Sequence, residues 1–325
     1  MLRLRLLVAI AVLSFLAGCQ SEVLAPSGDI AVKLRDVLGI TTALILVIVL
    51  PVMVAIVLFA RRYNKSNAES EASYDPHFHH STRLELLIWA APLTIIIWLG
   101  ALTWVSTHKL DPYRPLDTET AGVTAGAEPL VVEVVSMDWK WLFFYPQYGI
   151  ATVNELAAPI DRPITFRLTS TEVMNAFYVP TLARMIYTMP GMQTQLHAVI
   201  NKPGEYKGMS SHYSGAGFSG MNFPFLGFDQ AAFDAWVETV RGSGQVLDRD
   251  RYRELLRPSE NDPAAHFTLA DEALYHDILN RCVEPGQTCI DSMPNGEGAE
   301  AGAVGMLHPA PADDRAADTS AEPKT

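Results

Sequence analysis

The sequence predicts a two-helix transmembrane hairpin, then an all-β sandwich or barrel, then a C-terminal helical extension. Three observations predict it. Two long stretches, residues 37–60 and 86–107, carry no charged side chain. From about Leu130 the apolar residues fall into short runs rich in β-branched and aromatic types, punctuated by Gly and Pro. Beyond Asp229 apolar residues recur at helical spacing.

The amino terminus reads as a lipoprotein signal peptide over residues 1–18. Arg3 and Arg5 form a positive region, residues 6–16 an apolar one, and Leu16-Ala17-Gly18-Cys19 resembles a bacterial lipobox. The Cys19 thiol is the atom that would take the lipid, which puts the mature N-terminus at the outer face of the inner membrane. Residues 19–36 then form a short outer segment.

Each uncharged stretch exceeds the ~20 residues needed to cross ~30 Å of hydrocarbon, so 37–60 and 86–107 are read as spans. Pro51 and Pro92 fall inside them and should kink them, which neighbouring helices tolerate. Trp104 lies near the outer end of the second span, at a depth usual for an aromatic anchor. The connecting loop, 61–85, holds Arg61, Arg62, Lys65 and Arg83, whereas the preceding outer segment balances Lys33 and Arg35 with three carboxylates. The positive-inside bias places this loop in the cytoplasm and both termini outside. His77, His79 and His80 lie in the loop without a thiolate or carboxylate pattern to complete a metal site, and are read as solvated.

Charge and cysteine content exclude other classes. A formal net charge of −12 is the wrong sign for a phosphate-binding nucleic-acid surface. The three cysteines are Cys19, Cys282 and Cys289, so none lies within the β-region.

Residues 110–228 are expected to form the β-domain. Val132, Val134, residues 164–168 and residues 195–200 suit pleated, half-buried strands, separated by turns such as Pro190-Gly191 and Lys202-Pro203-Gly204. The extension covers 229–290. Asp229 is a plausible N-cap, and Phe233, Trp236, Val237 and Val240 share one helical face. A second helix is expected over 270–281, with Thr268 and Asp271 spaced as a capping box. Cys282 and Cys289 flank Glu284-Pro285-Gly286 and face an oxidising compartment. That arrangement suits a disulfide, with two free thiols as the alternative. Residues 291–325, rich in Ala, Gly, Pro and acid, read as a disordered tail.

Three local stretches narrow the function. Ser136-Met137-Asp138-Trp139-Lys140-Trp141, residues 173–180 (VMNAFYVP) and residues 208–221 (GMSSHYSGAGFSGM) resemble successive landmarks of subunit II in the haem-copper oxidases. The resemblance runs from the first span to about Val240. It implies a cupredoxin-like Greek-key β-sandwich whose last loop, in the cytochrome c-oxidising branch, holds a dinuclear copper centre.

Matched position by position, the copper-ligand pattern is degenerate here. Its first histidine falls on Asn175, its bridging cysteines on Ser210 and Ser214, its carbonyl ligand on His212 and its second histidine on Phe218, and only Met221 keeps the family's residue. Dinuclear and blue copper centres both need thiolate, which serine does not supply. No metal site is therefore expected in this chain. Trp139 and Trp141 are read as packing or partner-contact residues, Met185, Met189, Met192, Met209 and Met221 as adaptable packing, and the side chains of His197 and His212 as structural or surface groups.

The pattern is similar to the quinol-oxidising branch of the family, cytochrome bo type. In that branch the donor reaches the haem subunit from within the bilayer. The resemblance then implies a non-redox subunit of a proton-pumping ubiquinol oxidase, in which haems and copper-B belong to a partner large subunit I accompanied by small membrane subunits. It also places Glu85, at the cytoplasmic start of the second span, beside the mouth of a proton channel in that partner. A cytochrome c oxidase subunit II and a freestanding inner-membrane lipoprotein with a binding β-domain are the alternatives.

Overall fold

A computed structural model describes residues 21–63, 77, 79–116, 122–124 and 126–293. Residues 1–18, expected as a signal peptide, Cys19 and residues 294–325 of the expected tail lie outside the described residues. Helix α1 (Asp29–Arg62) and helix α2 (Thr82–Lys109) touch each other, and both are long and apolar enough to cross a membrane. Pro51 and Pro92 lie inside these two helices.

The first helix begins at Asp29, inside the segment expected to precede the span. Packing explains the difference. Ile30 and Ala31 are buried, and Leu34 and Val37 lie against the core of the β-domain, so two extra turns ahead of the uncharged stretch are stabilised by that domain. The chain before α1 is stitched to the same domain. The Ser27 and Gly28 amides both donate to the Thr181 carbonyl at 2.9 Å, and Gly28 bridges Ile200. A Cβ at Gly28 would stand 2.5 Å from the Val199 carbonyl oxygen, so only glycine allows this approach.

The β-domain comprises β1 (Leu130–Met137), β2 (Lys140–Tyr145), β3 (Ile150–Val153), β4 (Leu156–Pro159), β5 (Ile164–Ser170), β6 (Asn175–Tyr178), β7 (Ile186–Thr188), β8 (Thr194–Ala198), β9 (Gly204–Ser210) and β10 (Asn222–Phe228). The extension adds α3 (Gln230–Arg241), β11 (Val246–Leu247), α4 (Arg249–Leu255), β12 (Ala265–Leu269) and α5 (Leu274–Leu279). One sheet runs β11-β12-β3-β2-β1-β5-β8 and the other β4-β10-β9-β6-β7, with parallel pairing of β1 with β5 and of β10 with β4.

Strand β2 shows why two cores form. All six of its residues are buried, with Trp141, Phe143 and Tyr145 facing the core between the sheets and Leu142 and Phe144 facing the opposite side. A near-continuous apolar run is what a strand covered on both faces requires. The second cover is the extension: Tyr252, Phe267, Leu274, Tyr275 and Ile278 pack on Leu142, Phe144, Val135 and Met137. Full burial of such side chains contributes ~1.5–3 kcal/mol each.

Asp229 caps α3 by accepting the Ala232 amide at 2.8 Å, and Phe233, Trp236, Val237 and Val240 form its buried face. The capping box expected at Thr268 and Asp271 is not formed. Thr268 lies in β12, where its hydroxyl donates to the Gln245 carbonyl at 3.0 Å, and Asp271 accepts the Ala273 amide instead. Pairing of residues 265–268 with β3 claims these residues as strand, so the helix expected over 270–281 shrinks to α5. The extension is therefore mixed: two of its strands lengthen the larger sheet.

Candidate functional site

The degenerate copper positions converge at one end of the smaller sheet. Asn175 opens β6 and Ser210 closes β9; they are 1% and 5% exposed. The single hydroxyl proton of Ser210 faces two acceptors, Asn175 Oδ1 at 3.1 Å and the His212 carbonyl at 3.2 Å. Asn175 Nδ2 reaches Ser136 Oγ at 3.5 Å, and Ser136 Oγ lies 2.8 Å from Thr188 Oγ1. All four side chains are buried, so their polar atoms must find partners inside the protein, and here they find one another. Ser136 and Thr188 complete this network, a role the sequence did not reveal, although Ser136 opens one of the matched stretches.

The loop that follows β9 is held by its backbone. The Ser210 amide donates to the Met221 carbonyl at 3.1 Å, and the Ser211 amide to the Ala176 carbonyl at 3.0 Å. Trp139 Nε1 donates to the Ser214 carbonyl at 3.0 Å, and its indole fills the space where a Cβ on Gly217 would come within 2.5 Å. Ser214 Oγ is buried without a hydrogen-bond partner among the described residues. Phe218 packs edge-on against Tyr213, the His212 ring meets the Tyr187 ring, and Met221 is in the core between the sheets.

These residues do not fit a copper-thiolate centre. Soft copper ions need thiolate and imidazole, whereas the two bridging positions offer the hydroxyls of Ser210 and Ser214 and the first histidine position the carboxamide of Asn175, with Ser210 and Asn175 bonded to each other. Among the described residues, one group could gather metal-ligating atoms: Asp277, Cys282 and Cys289, within 4.8 Å of one another. Its two cysteines are joined as a disulfide, with Cα atoms 4.8 Å apart, so no thiolate is presented. His197 is turned toward Thr165 at 3.2 Å, and burial pushes its imidazole below the ordinary range.

Glu85 stands apart, in the first turn of α2. Its carboxylate lies 2.7 Å from His80 Nδ1, and both side chains are exposed. His79 Nδ1 instead contacts the His77 carbonyl, so the three loop histidines do not converge on a common point.

Comparison with known proteins identifies the architecture. Residues 147–225 match the family described as cytochrome C oxidase subunit II, periplasmic domain, and residues 241–286 match the COX aromatic rich motif, the stretch that supplies Tyr252, Phe267 and Tyr275 to the second core. The chain is 42% identical over 288 residues to cytochrome bo(3) ubiquinol oxidase subunit 2 of Pseudomonas aeruginosa, covering 89% of this chain and 83% of that one. It is 44% identical over 264 residues to ubiquinol oxidase subunit 2 of Acetobacter aceti, covering 81% and 83%. Among solved structures it is similar to the periplasmic domain of subunit II of cytochrome oxidase from Bradyrhizobium japonicum, 23% identical over 34% of this chain and 91% of that one, with a TM-score of 0.33. The chain belongs to the subunit 2 family of the ubiquinol oxidases, a branch of the cytochrome oxidase subunit II proteins.

Proposed function

We propose that this chain serves a ubiquinol-oxidising terminal oxidase as a copper-free, non-redox subunit. The observation that carries the reading is that hydroxyls stand at both bridging-thiolate positions, Ser210 bonded into the buried Asn175–Ser136–Thr188 network and Ser214 with its hydroxyl buried in the loop that follows. Ubiquinol is apolar and reaches its oxidation site from the bilayer, so no relay in the outer domain is required. Oxidation of ubiquinol, reduction of oxygen to water and outward proton movement belong to the assembly. Haems and copper-B belong to the partner large subunit, with small membrane subunits completing the complex.

In this reading α1 and α2 anchor the chain in the bacterial inner membrane with both termini on the periplasmic side, lipid on Cys19 adds a second anchor, and Glu85 faces the proton-channel mouth of the large subunit. The hairpin supports this topology through its charge asymmetry, with Arg61, Arg62 and Arg83 at the loop end. The test is copper content. The full chain, purified from membranes lacking the large subunit, is loaded with copper and dialysed. The expected result is no stoichiometric copper and no visible chromophore, whereas a tight purple or blue centre would overturn the reading. Haem that copurifies with the chain from native membranes separates an oxidase subunit from a freestanding lipoprotein.

A further inference from the structure

Three residues form a row across the larger sheet, at the end of the sandwich that carries Asn175 and Ser210. Ser136 of β1 stands in register with Ser170 of β5 on one side and with Trp141 of β2 on the other. Alternation along the strands puts all three side chains on the inner face. Val134 precedes Ser136 on that face, Leu168 precedes Ser170, and Trp141 is itself in the core between the sheets. The smaller sheet answers with Asn175 and Phe177 of β6, and the Phe177 ring meets the Trp141 ring edge-on with centroids 5.6 Å apart.

This row is short of hydrogen-bond partners. Trp141 is fully buried and Ser170 is 1% exposed, and among the described residues neither Trp141 Nε1 nor Ser170 Oγ has a partner. Asn175 is equally buried, and its Nδ2 contacts Ser136 Oγ and the Val173 carbonyl at 3.5 Å each, the outer limit for such a bond. Ser136 Oγ is already engaged by Thr188 Oγ1 at 2.8 Å. Two N–H donors and one hydroxyl therefore face the core with little to bond. A buried donor in that position forfeits the bond it made to water in the unfolded chain.

The chemistry of the set selects its ligand. A cation is repelled, because Trp141 and Asn175 both present N–H groups. An anion would be buried without a counter-charge, since no side chain of the row is ionised. Water suits all three groups: its oxygen accepts from two N–H donors and its protons reach a hydroxyl. We propose that an ordered water molecule binds between the sheets at Trp141 Nε1, Ser170 Oγ and Asn175 Nδ2. It ties β5 and β2 of the larger sheet to β6 of the smaller one, and so extends the Asn175–Ser210 network across the sandwich.

Two measurements test the water site. In a cryo-electron microscopy map of the assembled oxidase that shows ordered water, a peak should stand about 2.7–3.2 Å from both Trp141 Nε1 and Ser170 Oγ. A map with water elsewhere inside the β-domain and none here overturns the proposal. Substitution gives opposite signs for a wet and a dry site. A hydroxyl buried without a partner is a liability, so in a dry site Ser170→Ala would raise the melting temperature of the full chain. With water bound, Ser170→Ala removes a bond, and the melting temperature should fall by about 2–4 °C, the effect of one ordinary hydrogen bond in a domain of this size. Trp141→Phe keeps an aromatic ring and removes the N–H. Both substitutions act on the same water, so the double variant should lose less than the sum of the singles. An unchanged or higher melting temperature in Ser170→Ala, or strict additivity of the pair, overturns the proposal.

Discussion

Lys140 offers a direct measure of how the C-terminal extension is attached. It is 3% exposed, yet its ammonium meets four acceptors: the Leu255 and Arg257 carbonyls at 3.0 Å each, Ser259 Oγ, and Asp262 Oδ2 at 3.1 Å. The segment between α4 and β12 thus folds around one buried charge supplied by β2. Lys140→Met keeps the packing of the stem and removes the charge. Losing one member of a buried pair costs ~3–5 kcal/mol. Asp262 is 31% exposed and keeps its contact with Ser259, which lowers the expectation to about 2–3 kcal/mol. At ~2–4 °C per kcal/mol for a domain of this size, the melting temperature of the full chain should fall by about 4–12 °C, followed by near-ultraviolet circular dichroism. In a double-mutant cycle with Asp262→Asn, the double variant should lose less than the sum of the singles. A melting temperature within about 2 °C of wild type, or strict additivity, would refute the clamp.

Three further outcomes are expected. In the assembled oxidase Glu85→Ala should slow oxygen reduction per haem severalfold and Glu85→Asp should retain more activity; equal turnover in Ala, Gln and wild-type enzymes removes Glu85 from proton uptake. Alkylation of the denatured chain followed by intact mass should find Cys282 and Cys289 blocked until reductant is added, and two modified thiols without reductant would reject the bridge. The hydrogen bond to Asp277 raises the His276 imidazole, against a lowering by burial and with further help from Asp291. A folded pKa raised above the unfolded value means that this contact is fully stabilising below about 6.5 and is lost as pH rises through the raised value. Hydrogen exchange at the Ile290 amide, corrected for intrinsic rate, should therefore quicken with rising pH in wild type and not in His276→Gln.

Sequence periodicity made the hairpin and α3 legible, because each is decided locally. Uncharged length defines a span, and Asp229 with its buried face Phe233, Trp236, Val237 and Val240 defines a capped amphipathic helix. The strands of the extension were not legible. Ala265–Leu269 has no strong strand bias of its own, and becomes β12 because the edge of β3 offers unpaired backbone groups. Uncharged length gives the span but not the start of α1, since Asp29 and Ile30 are helical through contact with a domain far along the chain. At the candidate site, Asn175 and Ser210 could be found by matching a motif. Ser136 opens another matched stretch and Thr188 lies in none, and only folding shows that both join Asn175 in one network.

Residues 208–221 show how a cupredoxin-like loop is held in shape by contacts of its own. The loop depends on backbone bonds from Ser210 and Ser211 and on the Trp139 indole, which donates to Ser214 and fills the space over Gly217. Trp139 itself has φ of +65°, a left-handed conformation costing ~1–2 kcal/mol for a residue with a Cβ. At ~0.5–1.5 kcal/mol net per hydrogen bond, the three bonds together offset that cost. The loop is thus tied to the sandwich through both its own backbone and the β1–β2 turn that carries Trp139. What the loop then presents outward is a surface, with Tyr213 73% exposed on top of a rigid frame. A rigid exposed aromatic is a feature that a contact surface uses, because burying it against a partner costs little conformational entropy.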